Sequence, residues 1–231
     1  MKKYISICLI LTAILWACNT EEVPLYETQR YLFFPDSAKG LDSCYFSFSH
    51  YPGKTEKEVT FYVALTGDTL AEPLEYKLRV VDTLTTALPQ DYVLPTRLTF
   101  AAGKTIDVLK ITCKNTREEL KTQKVYVTFV LEPNENFKPS LYNQQKIRII
   151  FDNISSAPLW WSGELERYVL GEYSPKKFEC FILANEGLND LTGMSLSEAR
   201  EYAMKLKQYC IDNNIMEEDN KTPMVDGIPV Y

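Results

Sequence analysis

From residue 30 to residue 152 the chain changes character at every second position. Val59, Phe61, Val63 and Leu65 fall on one side of an extended segment, and Thr60 and Tyr62 fall on the other. Successive side chains of a strand point to opposite faces, so this spacing fits an antiparallel strand with one buried face. The same alternation, rich in β-branched and aromatic residues, predicts strands over 31–34, 43–49, 58–65, 75–81, 97–100, 106–113, 124–131 and 146–151. The breaks carry turn chemistry at Pro52-Gly53, Gly67-Asp68, Ala102-Gly103 and Pro133-Asn134. Short strands at this spacing, with no helical period among them, predict an antiparallel immunoglobulin-like β-sandwich over residues 29–153.

After Asn153 the pattern stops. Residues 155–158 read as a linker, and residues 158–231 as a small α+β C-terminal part. The apolar run 178–183 predicts a strand, with Ser174-Pro175-Lys176-Lys177 as the turn before it. Ser195-Leu196-Ser197-Glu198 matches a capping box, in which hydroxyl and carboxylate satisfy the free amides of a helix start. Leu196, Ala199, Ala203, Leu206 and Cys210 then recur at 3-4-3-4 spacing, which predicts one amphipathic helix ending near Asn213-Asn214. The tail from Glu217, with acids, two prolines and a glycine, is expected to pack loosely.

The amino terminus addresses location. Lys2 and Lys3 precede an apolar run from Ile5 to Trp16. A helix needs roughly 20 residues to cross a bilayer, so this run is a secretory signal and not a span. It ends Leu15-Trp16-Ala17-Cys18, which resembles the bacterial lipobox, although Trp16 stands where a small residue is usual. The resemblance implies cleavage after residue 17, acylation of Cys18, and a short tether over 18–28. Glu21 and Glu22 resemble the signal that directs Bacteroidota lipoproteins to the outer face of the outer membrane, so an outer-membrane lipoprotein facing the cell exterior is expected. A periplasm-facing lipoprotein is the other reading.

Removing Lys2 and Lys3 takes the formal charge from −6 to −8. With no basic patch, nucleic acid is not an expected partner. Cys44, Cys113, Cys180 and Cys210 remain beyond Cys18. Cys44 and Cys113 sit on the inward side of their strands and read as core thiols, with a Cys44–Cys113 bridge as the alternative. His50 is the single histidine and no Cys-x-x-Cys spacing exists, so neither a metal centre nor a cofactor is expected.

Catalytic constellations are weak. Ser174 and Lys177 have the Ser-x-x-Lys spacing of penicillin-binding enzymes, but no Ser-Asp-Asn or Lys-Thr-Gly follows. Glu164 and Glu166 lie two apart, as a carboxylate pair on one face of a strand would; a solvated edge explains them more simply. The aromatic residues draw more interest. Trp160 and Trp161, with Tyr168 and Tyr173, could form a flat platform for a sugar ring or peptide; the competing reading is a lid packed between sandwich and C-terminal part.

Asp91-Tyr92, then Leu98 to Gly103, then the alternation Val108, Leu109, Ile111 resembles the repeat of Calx-β and related immunoglobulin-like sandwiches. Calcium-binding members cluster acids in the next loop. Here that loop contains Lys114 and Arg117, so calcium is not expected. With Trp161-Ser162-Gly163-Glu164-Leu165 and Tyr173 to Phe178, the layout resembles Bacteroidota outer-membrane lipoproteins of unassigned function, often encoded beside SusC/SusD-type importers. That resemblance implies a non-catalytic accessory or binding subunit of a glycan or peptide uptake system. A surface adhesion or scaffold protein is the alternative, with an Asp/Glu-dependent hydrolase behind it.

Overall fold

The structure is a computed structural model that describes residues 29–40, 42–141 and 144–230. The signal segment 1–17, Cys18 and the tether 18–28 lie outside the described residues. No helix among the described residues is long and apolar enough to cross a membrane.

The fold is mainly β. A five-stranded sheet runs in the order β10-β1-β3-β8-β6, from β10 (Lys138–Pro139), β1 (Tyr31–Phe33), β3 (Glu56–Thr66), β8 (Ile106–Lys114) and β6 (Tyr92–Val93). A four-stranded sheet runs β2-β11-β9-β5, from β2 (Ser43–Ser47), β11 (Lys146–Asp152), β9 (Val125–Glu132) and β5 (Lys77–Val80). β4 (Leu74–Glu75) pairs with β7 (Thr99–Phe100). Pairing is antiparallel except at two flanks, where β1–β10 and β2–β11 run parallel.

The inward residues of β3 and β8 meet those of β9 and β11 in one core, with Val63, Ile111, Val127, Phe129, Ile149 and Phe151 buried. The alternation thus places the side chains as the sequence indicates. The expected strand 75–81 is broken at buried Tyr76, where the chain leaves β4 for β5 and so changes sheets. β6 and β10, two residues each, were not anticipated; segments that short carry no readable period.

The C-terminal part has its own core. It is built from α1 (Gly163–Leu165), prolonged by a π-helical turn Glu166–Leu170, then α2 (Pro175–Ala184) and α3 (Leu196–Asp212). α3 matches expectation, capping box included: Ser195 Oγ accepts from Glu198 N, and Ser195 N donates to Glu198 Oε2 at 2.8 Å.

Three expectations are corrected here. Residues 178–183 are helical, not a strand: Ser174 caps α2 by accepting from Lys177 N at 3.1 Å, and Pro175 supplies the preset φ of the first turn. A short apolar run fits either element, and the cap decides it. Trp160 and Trp161 stand in a turn closed by Trp161 N donating to Pro158 O, and Glu164 sits on α1 with Glu166 in the π turn. The tail is not loose: Met224, Ile228 and Val230 are buried in the second core.

The two parts meet at His50. Its Nε2 lies 2.9 Å from Ser156 O, its carbonyl accepts from Asn189 Nδ2 at 2.9 Å, and its ring stands edge-on to Phe178.

Candidate functional site

Trp161 is 2 % exposed, and its indole N–H donates to Gly171 O at 2.9 Å. It packs against Trp160, Tyr173, Phe178 and Phe181 at centroid distances of 5.5–6.0 Å. The cluster forms the centre of the second core, and Trp161 offers no face to a ligand. Trp160 is half-buried on the same rings. Tyr173 packs on Trp161 and Phe178, and burial pushes its pKa up. Tyr168 is 51 % exposed beneath the Arg167 guanidinium, and it lies outside the ring cluster. The four residues therefore do not assemble into one surface.

The chain instead forms a hollow of about 420 Å³ between the start of α2 and the tail. Lys177, 3 % exposed, lines it with Tyr173, Ser174, Glu217, Asp219 and Gly227. Lys177 Nζ donates to Glu172 O at 2.8 Å and pairs with Glu217 Oε1 at 3.2 Å. Ser174 Oγ donates to Glu217 Oε2 at 3.4 Å. Ser174 and Lys177 are thus adjacent to one carboxylate and committed to holding the tail, rather than arranged as nucleophile and base. Asp219, at the rim, accepts from Thr222 N and Lys221 N, which holds its pKa below the ordinary carboxylate range. A second hollow of about 530 Å³ lies beyond Gly227, with Arg167, Lys207 and Asp226 in its wall.

Asp91 of the Calx-β-like motif is buried. Its carboxylate accepts from Leu88 N, from Thr116 Oγ1, and from Arg117 Nε and Nη2 at 3.0 and 2.7 Å. The hydrogen bonds to Asp91 in turn raise the Arg117 pKa. The cation in the loop after β8 is therefore the partner of Asp91.

The sandwich carries a surface that sequence reasoning passed over. On the outer face of the five-stranded sheet, Tyr62, Val93, Ile106 and Val108 are 46–52 % exposed. The register sets Tyr62 opposite Val108, Ile106 opposite Ala64 and Val93 opposite Thr112, so they share one face of β3, β8 and β6. Lys110–Glu58 (2.8 Å) and Lys114–Glu56 (3.2 Å) pair across β3 and β8, and Lys110 stands between Val108 and the Thr112 position that Val93 faces, so Tyr62, Ile106 and Val108 adjoin while Val93 lies apart. The signal was available: the outward positions of β8 read Ile106, Val108, Lys110, and an outward strand face seldom opens with two aliphatics.

No curated protein matches the chain. Among solved structures it is similar to the apo form of the Calx CBD1 domain (17 % identity over 54 % of this chain and 98 % of that one, TM-score 0.34). It is also similar to a putative carbohydrate-binding protein from Bacteroides ovatus (9 % identity, TM-score 0.39) and to CBD12 from CALX1.2 (16 % identity, TM-score 0.36). These alignments take in 54 % and 53 % of this chain, and only 37 % and 44 % of the two longer proteins. Residues 26–187, more than two thirds of the chain, match the family described as "Domain of unknown function (DUF4843)", and the chain belongs to that family.

Proposed function

We propose that this protein is a surface-anchored, non-catalytic lipoprotein whose sandwich docks onto a SusC/SusD-type nutrient importer as an accessory subunit. The observation that carries the reading is the apolar group Tyr62, Ile106 and Val108 on the outer face of β3 and β8. Contiguous apolar surface of this kind suits burial against another protein. The adjacent charges are already paired within the sheet, so the face has little to offer a charged polymer or anionic headgroups. A flat sheet also gives a small ligand little enclosure.

The anchor supports the same reading. With Cys18 acylated, the tether 18–28 reaches at most ~40 Å when fully extended. The sandwich is thereby kept beside the extracellular side of a membrane-embedded partner.

The test is affinity capture of the tagged protein from its native outer membrane in detergent, read by mass spectrometry. Recovery of a SusC/SusD-type pair is the expected result. Recovery of the protein alone, with Cys18 acylated and the chain labelled at the cell surface, overturns the importer reading. Capture of a different surface protein through the same face identifies the adhesion or scaffold alternative.

A further inference from the structure

We propose that the outer face of the four-stranded sheet binds an anionic polysaccharide, a sugar chain bearing carboxylates or sulfates, along the row Tyr45–Ile150–Tyr126. The register makes that row: Ile150 of β11 stands opposite Tyr45 of β2 on one side and Tyr126 of β9 on the other. Their chain neighbours Phe46, Val125, Val127, Ile149 and Phe151 are buried in the sandwich core, so these three side chains point the other way. Tyr45 is 46 % exposed, and Ile150 and Tyr126 are half-buried. Adjacent strands lie ~4.8 Å apart, which sets the two tyrosines ~10 Å from each other, about the span of two sugar rings in a chain.

Two cations flank the row. Lys124, exposed one residue before β9, holds Nζ 4.4 Å from the centre of the Tyr45 ring. Arg148 lies in the next row along β11, opposite Ser43 and Thr128, and its Nε donates to Thr128 Oγ1 at 3.2 Å. Among the described residues no carboxylate pairs with either, whereas Lys110 and Lys114 on the other sheet are both paired. The acids of this face are already engaged. Asp152 is fully buried and accepts from Tyr45 OH and Ile154 N, both at 3.0 Å, and Glu132 pairs with Arg79 at 2.8 Å. Burial and the bond to Asp152 push the Tyr45 pKa up to about 12, so its hydroxyl stays a donor and the ring keeps its orientation.

This arrangement selects the ligand. A pyranose ring offers an apolar C–H face to an aromatic ring, and a polymer gains contact along a row where a small molecule finds no enclosure. The flexible lysine stem lets the Lys124 ammonium leave the Tyr45 face and meet a sugar carboxylate while the ring takes the sugar. A nucleic-acid strand carries a charge every ~3.4 Å, too dense for two cations on a chain of formal charge −6. One charge per sugar or per disaccharide matches them. The docking reading uses the other sheet, so either can fail without the other.

The test uses residues 18–231 with Cys18→Ser and reads binding to immobilised polygalacturonate and chondroitin sulfate, with uncharged dextran and a single-stranded oligodeoxynucleotide for comparison. The expected result is retention on at least one of the two anionic polysaccharides, reversed by ~0.5 M salt, and none on dextran. Tyr126→Ser should weaken retention at least about tenfold and Lys124→Gln about threefold. Lys54→Gln, which removes an exposed cation from a turn elsewhere, should leave it unchanged. Lys124→Gln alters only an exposed side chain, so the test stands even if Tyr126→Ser does not fold. The proposal is overturned by no retention on either polysaccharide, by equal retention on dextran, or by stronger binding of the oligonucleotide. A Lys124→Gln loss no larger than that of Lys54→Gln overturns it too.

Discussion

The two cores are closed by opposite means. The sandwich is closed by register: nine consecutive pairs between β3 and β8 put every second side chain inside. The helical part is closed by its tail, which two lysines and a glycine contact hold in place. Lys177 pairs with Glu217, Lys207 Nζ donates to Ile228 O and Val230 O, and Gly171 lies against Gly227 O. A register spreads the stabilisation over many weak terms. A tail clamp concentrates it in a few residues, so single substitutions should act more locally there. Trp160 and Trp161 both belong to the helical part, so in the chain from residue 18 onward tryptophan fluorescence reports on it, while the infrared amide I band of β-structure follows the sheets.

The largest expected effect is nevertheless in the sandwich, at its buried Asp91–Arg117 ion pair. Asp91→Ala leaves Arg117, whose side chain is 14 % exposed, without its bidentate partner. A broken buried pair costs ~3–5 kcal/mol, read as an earlier urea midpoint in the sheet signal with the tryptophan transition less affected. Next comes Gly171→Ala. Gly171 has a φ of +76° and its added Cβ would stand 1.8 Å from Gly227 O, a backbone atom that cannot swing aside. Left-handed strain and overpacking together cost ~2–4 kcal/mol, and the tryptophan transition should move alone.

Lys177→Met should cost ~1–3 kcal/mol, because Glu217 loses its ammonium partner. Adding Glu217→Leu should return part of that, since a buried pair replaced by apolar groups is often close to neutral. If the double variant is as damaged as the single one, the pair is not the clamp.

A smaller, pH-dependent effect separates the cores again. Burial would raise the Asp107 pKa, but donation from Ala101 N and Val108 N and the nearby Lys104 ammonium outweigh it, and the net shift is downward. A carboxyl whose folded pKa lies below its unfolded value stabilises above the unfolded value, about 4, and loses that contribution as pH falls through the folded one. Sandwich stability should therefore drop between pH 5 and 3, and Asp107→Asn should flatten that part of the profile.

How much was legible follows the same divide. Period-two patterning located the long strands to within about two residues, because a sheet with one wet face writes its register into the sequence. The capping box and 3-4 stripe marked α3 for the same reason. What could not be read depends on contacts distant in sequence. Nothing local to residues 178–183 distinguishes strand from helix until Ser174 is recognised as a cap. Nothing in Glu217 reveals a lysine 40 positions earlier as its partner, so a buried tail looked like a loose one. Tyr62 was placed outward correctly, but the apolar face needs Ile106 and Val108 beside it, and only the pairing of β3 with β8 brings them together.

That face also decides the functional claim. The most direct measurement compares the wild type with a Tyr62→Lys/Val108→Lys variant in affinity capture from native outer membranes, with partner recovery quantified by mass spectrometry. Exposed substitutions away from special features shift stability by about 0.5 kcal/mol or less, so the variant should fold and stay anchored while losing at least about 90 % of the co-recovered importer, a loss of at least ~1.4 kcal/mol in association. Unchanged importer recovery by a folded variant would contradict docking through the sheet face.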